Sequence, residues 1–194
     1  NRCLVGSEMC IRDRYNLKAI VEMNKIIEHL SKINTVHFKN GTQKIISKGE
    51  LKNGLANGLG SMITYENKNE ILSILKGQFK DGKPNGFVKL DTPEFTYIGE
   101  YKNEGETCIG FLGNSQFKYF GELKDFVFHG KGSLTEYYTD KPSKRFRGIF
   151  HHGNPITLFT SPENENFENF LKLVKEYIQN IEKLVKNIED PVFP

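Results

Sequence analysis

Cys108, His129, His151 and His152 are the residues of this chain best suited to reactive chemistry. A thiol beside an imidazole makes a nucleophile and base, provided the surroundings activate the sulfur. Neighbouring histidines can hold a transition metal. Each residue also has a plainer explanation. Cys3 and Cys10 fall in the first fourteen residues, which leaves Cys108 without a disulfide partner or a metal-ligand spacing. His129 occupies a slot where the surrounding pattern places a polar turn residue. His151 and His152 replace a Lys-Asn or Lys-Asp pair, and in extended chain they point to opposite faces, which spoils them as a metal pair. No phosphate-binding glycine loop, nucleophile elbow or H-E-x-x-H occurs. The sequence therefore predicts a non-enzymatic chain with no catalytic, metal or cofactor residues.

Two surfaces could bind rather than react. Lys141, Lys144, Arg145 and Arg147 surround Phe146, an aromatic-plus-basic cluster suited to the phosphate head groups of acidic phospholipids. Its alternative is a solvated loop between strands. Nucleic acid would use the same groups, but a formal net charge of +3 argues against it. The charge is unevenly spread: residues 34–160 carry 17 Lys/Arg against 13 Asp/Glu, and residues 161–190 carry 4 against 7. The second surface is a recurring set of large side chains: Phe79, Tyr97, Tyr101, Tyr119, Phe146 and Phe150. These are expected under a helix, inside a homodimer, or in a groove for a partner protein, because an open apolar face of this size invites association.

What positions these residues is a repeat. Gly49-Glu50-Leu51-Lys52-Asn53-Gly54 returns as Gly77-Gln78-Phe79-Lys80-Asp81-Gly82, as Gly99-Glu100-Tyr101-Lys102-Asn103 and as Gly121-Glu122-Leu123-Lys124-Asp125. A decayed fifth copy is Gly148-Ile149-Phe150-His151-His152-Gly153. Successive starts lie 28, 22, 22 and 27 residues apart, the period of a repeat architecture. Counting from the first glycine, positions −2, 0 and +2 share one face of a strand. Position +2 is always large and apolar; position −2 is Leu75, Tyr97, Tyr119 and Phe146, with Ser47 breaking the column. The glycine between them opens a gap that lets a neighbour approach the backbone. Positions +1 and +3 carry Glu and Lys and are expected on the opposite face as a solvated row. Asn53-Gly54 and Asp81-Gly82 suit a chain reversal, and Gly58-Leu59-Gly60 and Gly130-Lys131-Gly132 open the return strands. The third copy replaces that motif with Ile109-Gly110-Phe111, so a bulge or twisted hairpin is expected there.

Helices flank the repeats. Over residues 15–33 and 161–190 apolar residues recur at steps of three and four. Ser161-Pro162 supplies a cap and a first-turn proline, and Asp190-Pro191 ends the second helix. Residues 1–14 are expected to be translated sequencing adapter without fixed structure, because Leu4–Asp13 back-translates to such an adapter. A domain upstream would then be missing from the chain. The fold class is thus mainly β with flanking helices: residues 34–160 form a single-layer twisted antiparallel sheet of stacked hairpins, with an amphipathic helix at each end.

The phrase Tyr97-Ile98-Gly99-Glu100-Tyr101-Lys102-Asn103, with Phe120-Gly121-Glu122-Leu123-Lys124-Asp125 and His129-Gly130-Lys131-Gly132, resembles the MORN repeat (membrane occupation and recognition nexus). The likeness covers about residues 46–157. It departs from the pattern in two stretched spacings, in the third return strand and in the unfinished fifth copy. The resemblance implies an elongated sheet of hairpins that serves as a cytoplasmic protein-interaction or dimerisation scaffold, in places at acidic membranes or on the cytoskeleton. It equally implies an accessory region beside a catalytic domain, as in some lipid kinases and SET-type methyltransferases.

Overall fold

A computed structural model describes residues 35–40, 43–66, 70–102, 106–159 and 165–191. The adapter-like segment, the helix expected over 15–33 and the Ser161-Pro162 cap lie outside them. Eleven strands run in sequence order: β1 (Thr35–Asn40), β2 (Gln43–Lys52), β3 (Leu55–Glu66), β4 (Glu70–Lys80), β5 (Lys83–Asp91), β6 (Thr96–Tyr101), β7 (Thr107–Gly113), β8 (Phe117–Lys124), β9 (Val127–Glu136), β10 (Lys144–His151) and β11 (Asn154–Leu158). Every strand pairs antiparallel with its sequence neighbours in one open sheet. One helix follows, α1 (Glu165–Lys186).

The register explains the glycines. Gly49, Gly60, Gly77, Val88, Gly99, Gly110, Gly121, Gly132 and Gly148 are partnered in succession, so one line of glycine crosses β2 to β10 with Val88 its single exception. Beside it runs a line of larger residues on the same face: Ser47, Met62, Leu75, Leu90, Tyr97, Leu112, Tyr119, Leu134 and Phe146. The Tyr97 and Tyr119 rings fold over the glycine line. A Cβ on Gly99 would stand 2.6 Å from the Tyr97 hydroxyl, and one on Gly110 2.8 Å from its ring. Those hydroxyls donate to the carbonyls of Glu100 at 2.6 Å and Glu122 at 2.8 Å. The aromatic face is therefore closed by its own side chains. Ser47 is the weak point of the line: it is buried, and its hydroxyl has no hydrogen-bond partner among the described residues.

The hairpins turn on Asn53-Gly54, Asp81-Gly82, Asp125-Phe126 and His152-Gly153, all with positive φ. Such two-residue turns match the twist of the strands they join. Bulges fall at Gly49/Leu51, Gly77/Phe79 and Gly121/Leu123. In the third copy the β6–β7 pairing runs from Thr96 to Gly99 and stops short of the position at which the other copies bulge. The bulges of the other copies go with the first glycine of the return strand. Gly58, Gly86 and Gly130 have positive φ, and the side chains of Glu50, Gln78 and Glu122 fill the space a Cβ would take. Gln78 accepts from the Phe87 amide at 3.1 Å, and Glu122 from that of Lys131 at 2.5 Å. Position +1 is thus a backbone cap over a bulge, which corrects its reading as a solvated row. The third copy has Cys108 where the others have that glycine.

Helix α1 lies against the sheet, on the face opposite the tyrosines. Position −1 of each phrase and its partner on the return strand build its seat: Lys48, Ser61, Lys76, Lys89, Ile98, Phe111, Phe120, Ser133 and Arg147 follow one another across the register. The centre of that line is apolar and its ends are charged. Phe167, Phe170, Leu171, Val174, Tyr177, Ile178 and Ile181 pack on Ile98, Phe87 and Leu59, with Phe111 and Phe120 at the margin. Arg147 pairs with Glu168 near the helix start and stands 5.7 Å from the Phe167 ring. Past the other end, Ser61 donates to the Glu189 carbonyl at 2.6 Å, and Lys76 to that of Ile188 at 2.9 Å. Lys48 pairs with Glu189, and Lys76 with Asp190 at 3.0 Å. Cations beside the last carbonyls suit the negative end of the helix dipole.

Candidate functional site

The third hairpin carries a cleft of about 260 Å³ lined by Tyr97, Glu100, Tyr101, Lys102, Glu106, Cys108, Asp125 and Phe126. Phe126 enters it from the β8–β9 turn, where the other turns shown place glycine. It holds a φ of 61°, in the left-handed region that an L side chain adopts at a cost. Its ring meets Tyr97 edge-on at 5.0 Å, with Tyr101 and Phe95 at 6.0 and 6.2 Å. Lys102 pairs with Glu100 at 3.3 Å and donates to the Thr107 carbonyl at 3.1 Å.

Cys108 lines the cleft, 3.4 Å from the Tyr97 hydroxyl and 3.5 Å from the Leu123 carbonyl. Burial pushes its thiol above the ordinary value, only partly offset by the bond to Tyr97. Burial and the neighbouring thiol likewise hold the Tyr97 hydroxyl well above its usual range. The thiolate is the reactive form of cysteine. This environment opposes it, and no histidine lines the cleft. The arrangement suits an apolar side chain flanked by charge better than it suits acyl transfer.

The residues expected to meet a partner divide sharply. Phe79, Tyr97, Tyr119 and Phe150 are buried in the core of the aromatic face, whereas Tyr101 and Phe146 are half-buried. Helix α1 packs on the other face and does not cover these residues. Tyr119 stacks on Phe128 at 4.2 Å and meets Phe150 edge-on at 5.2 Å, and these contacts do the covering. Regular spacing marked these positions correctly as one face, but spacing alone does not separate core from surface.

The basic cluster also divides. Strand alternation puts Lys144 and Phe146 on one face of the sheet and Arg145 and Arg147 on the other. Arg147 is engaged by the helix, while Lys141, Lys144 and Arg145 are exposed. Sequence reasoning missed the aromatic side of this surface. Tyr138 lies 5.9 Å beneath the Lys144 ammonium, and Tyr137 5.7 Å beneath that of Lys118. Both tyrosines are exposed. Their adjacency in Tyr137-Tyr138 was the available signal.

The three histidines assigned to turn and decayed positions come together at the far end of β9 and β10. Ring centres are 4.3 Å apart for His151 and His152, 5.2 Å for His129 and His151, and 6.1 Å for His129 and His152. The argument from extended geometry does not hold, because His152 sits in the turn with a φ of 48°.

No family model matches this chain, and no curated protein does. Among the described residues, no helix is long and apolar enough to cross a membrane.

Proposed function

We propose that the chain is a non-enzymatic scaffold of the MORN-repeat type that binds an extended segment of a protein partner by strand addition. The observation that carries this reading is strand β11. It pairs only with β10 among the described residues, and all five of its residues are exposed, Ile156 at 63% and Leu158 at 49%. An exposed strand edge offers unpaired backbone donors and acceptors, and apolar side chains beside it give the added strand somewhere to pack. The glycine line supports the reading by letting the other strands pack side by side in one continuous sheet. Proximity labelling of partners in cells, repeated with Ile156→Lys/Leu158→Lys, tests it. Partners that bind the purified chain should be lost from the double variant; partners retained unchanged would overturn the edge as the docking strand.

A second reading, contact with an acidic membrane surface, is favoured by the exposed group Tyr137, Tyr138, Lys141, Lys144 and Arg145. Aromatic rings under ammonium groups suit the interface of an anionic bilayer. Co-sedimentation with phosphatidylserine vesicles should fall when Lys141, Lys144 and Arg145 are reversed to Glu. Equal binding by both proteins would dispose of this surface.

A further inference from the structure

The two hairpin junctions at opposite ends of the sheet are built alike and furnished differently. At the first, the amide of Gly82 in the β4–β5 turn donates to the Ala56 carbonyl of β3 at 2.8 Å. At the last, the amide of Gly153 in the β10–β11 turn donates to the Phe128 carbonyl of β9 at 3.0 Å. Each bond fastens a turn onto the preceding return strand and brings the same three positions together. In the first junction these are Lys80, Asp81 and Asn57, with Asn57 Nδ2 donating to Asp81 Oδ1 at 3.2 Å. In the last they are His151, His152 and His129.

We propose that His129, His151 and His152 form a surface site for a borderline transition-metal dication of the zinc, nickel or copper(II) class. The chemistry needs three neutral imidazoles, each offering one nitrogen. With a metal–nitrogen bond of about 2.0–2.1 Å, a ring centre stands roughly 3.2 Å from the metal, so three rings at tetrahedral angles are separated by about 5 Å. The observed separations of 4.3, 5.2 and 6.1 Å bracket that value. As placed, no group of three His, Cys, Asp or Glu side chains among the described residues can hold a metal ion, so the site requires the rings to turn about their side-chain torsions. His151 and His152 are exposed and have room to do so. The Gly153 bond holds turn and strand together at this junction. The Glu122 carboxylate, seated where a Gly130 side chain would be, adds negative charge one residue from His129. Three rings and a fourth, open position describe a site that takes water or a donor from a partner.

The chain itself supplies conservative replacements. Asn57, Lys80 and Asn53 occupy the equivalent positions elsewhere, so His129→Asn, His151→Lys and His152→Asn fit the same backbone. Zinc and nickel chlorides are titrated by calorimetry into the untagged full chain at pH 7.5, with copper(II) electron paramagnetic resonance as a second readout. The expected result is a site of micromolar affinity present in the wild type and absent from the triple variant. Each single variant should weaken it tenfold or more, and the copper spectrum should report three nitrogen ligands. His29 and His37 and the other cysteines remain in every variant, so the difference between the two proteins is what counts. Identical isotherms and spectra for wild type and a folded triple variant would overturn the site.

Discussion

The ring of Tyr119 occupies the space that a Cβ on Gly132 would need, its Cε2 standing 2.6 Å from that point. Tyr119 is fully buried, and Gly121 on its own strand faces the same hydroxyl at 2.9 Å. Ring and glycine are thus two halves of one packing unit, which explains why the large residue and the glycine recur together along the chain.

Gly132→Ala is therefore expected to destabilise the sheet by about 1–3 kcal/mol, the usual cost of forcing atoms into a filled interior. Gly54→Ala separates this from backbone strain. Gly54 has a φ of 76° and nothing within 4 Å of its would-be Cβ, so only the left-handed penalty of roughly 1–2 kcal/mol applies. Urea unfolding of both variants checks the pair. Adding Tyr119→Phe should recover part of the Gly132→Ala loss and none of the Gly54→Ala loss.

Phe126→Gly sets two effects against each other. The substitution relieves a left-handed residue, worth about 1–2 kcal/mol. It also removes a ring packed on Tyr97, Tyr101 and Phe95, and deleting a packed phenylalanine costs roughly 3–5 kcal/mol. Packing should win, with a net loss of about 2 kcal/mol and a cleft open to solvent. A Cys108 alkylation rate that rises with the variant would report the opening; an unchanged rate with unchanged stability would show that the ring covers nothing.

Much of this architecture was legible in the chain, for definite reasons. Gly49, Gly77, Gly99 and Gly121 recur with large residues two places away, and a two-residue alternation fixes which side chains share a face. The eleven-stranded order and the apolar stripe of α1 follow from the same kind of pattern. The seat of the helix is masked in the sequence by Glu and Lys at +1 and +3, which outnumber Ile98 and Phe120 at −1 on that face. Those two residues break the polar alternation, and that break was the signal. Nor could spacing tell that Tyr97 and Tyr119 lie flat over neighbouring strands, since that depends on cross-strand register. The histidines escaped for a third reason: Gly153 binds Phe128 across two strands, and no local pattern announces it.

Alkaline pH should weaken the fold through the same tyrosines. Burial raises the folded-state pKa of Tyr97 and of Tyr119 well above the ordinary value of about 10. The unfolded chain then loses these protons first, so ionisation draws the equilibrium toward unfolding. Their contribution is fully present below about pH 10 and is lost as pH rises toward the folded values. Urea midpoints measured from pH 8 to pH 11.5 should fall, and Tyr119→Phe should flatten the fall. A midpoint independent of pH across that range would contradict the burial of these hydroxyls.

Removal of residues 161–194 should separate the two faces of the sheet. The aromatic face covers itself, so its core of Tyr97, Tyr119, Leu123 and Phe150 does not depend on the helix. The other face does, because deletion bares Leu59, Phe87 and Ile98 together with Phe111 and Phe120. A contiguous apolar strip of that kind drives association. The truncated chain is expected to keep its strand circular dichroism while aggregating, and a soluble monomer would mean that α1 covers nothing of consequence. Lys76→Ala should do far less, about 1 kcal/mol or under, because its bonds to Ile188 and Asp190 are part-exposed. Lys48 holds the Glu189 carboxyl below its ordinary value. That contact is present above the unfolded carboxyl pKa of about 4.3 and lost as pH falls through the lower folded value. The helix should therefore loosen first from its C-terminal end in acid, seen as faster amide exchange at Leu184 and Val185 than at Phe170 and Leu171.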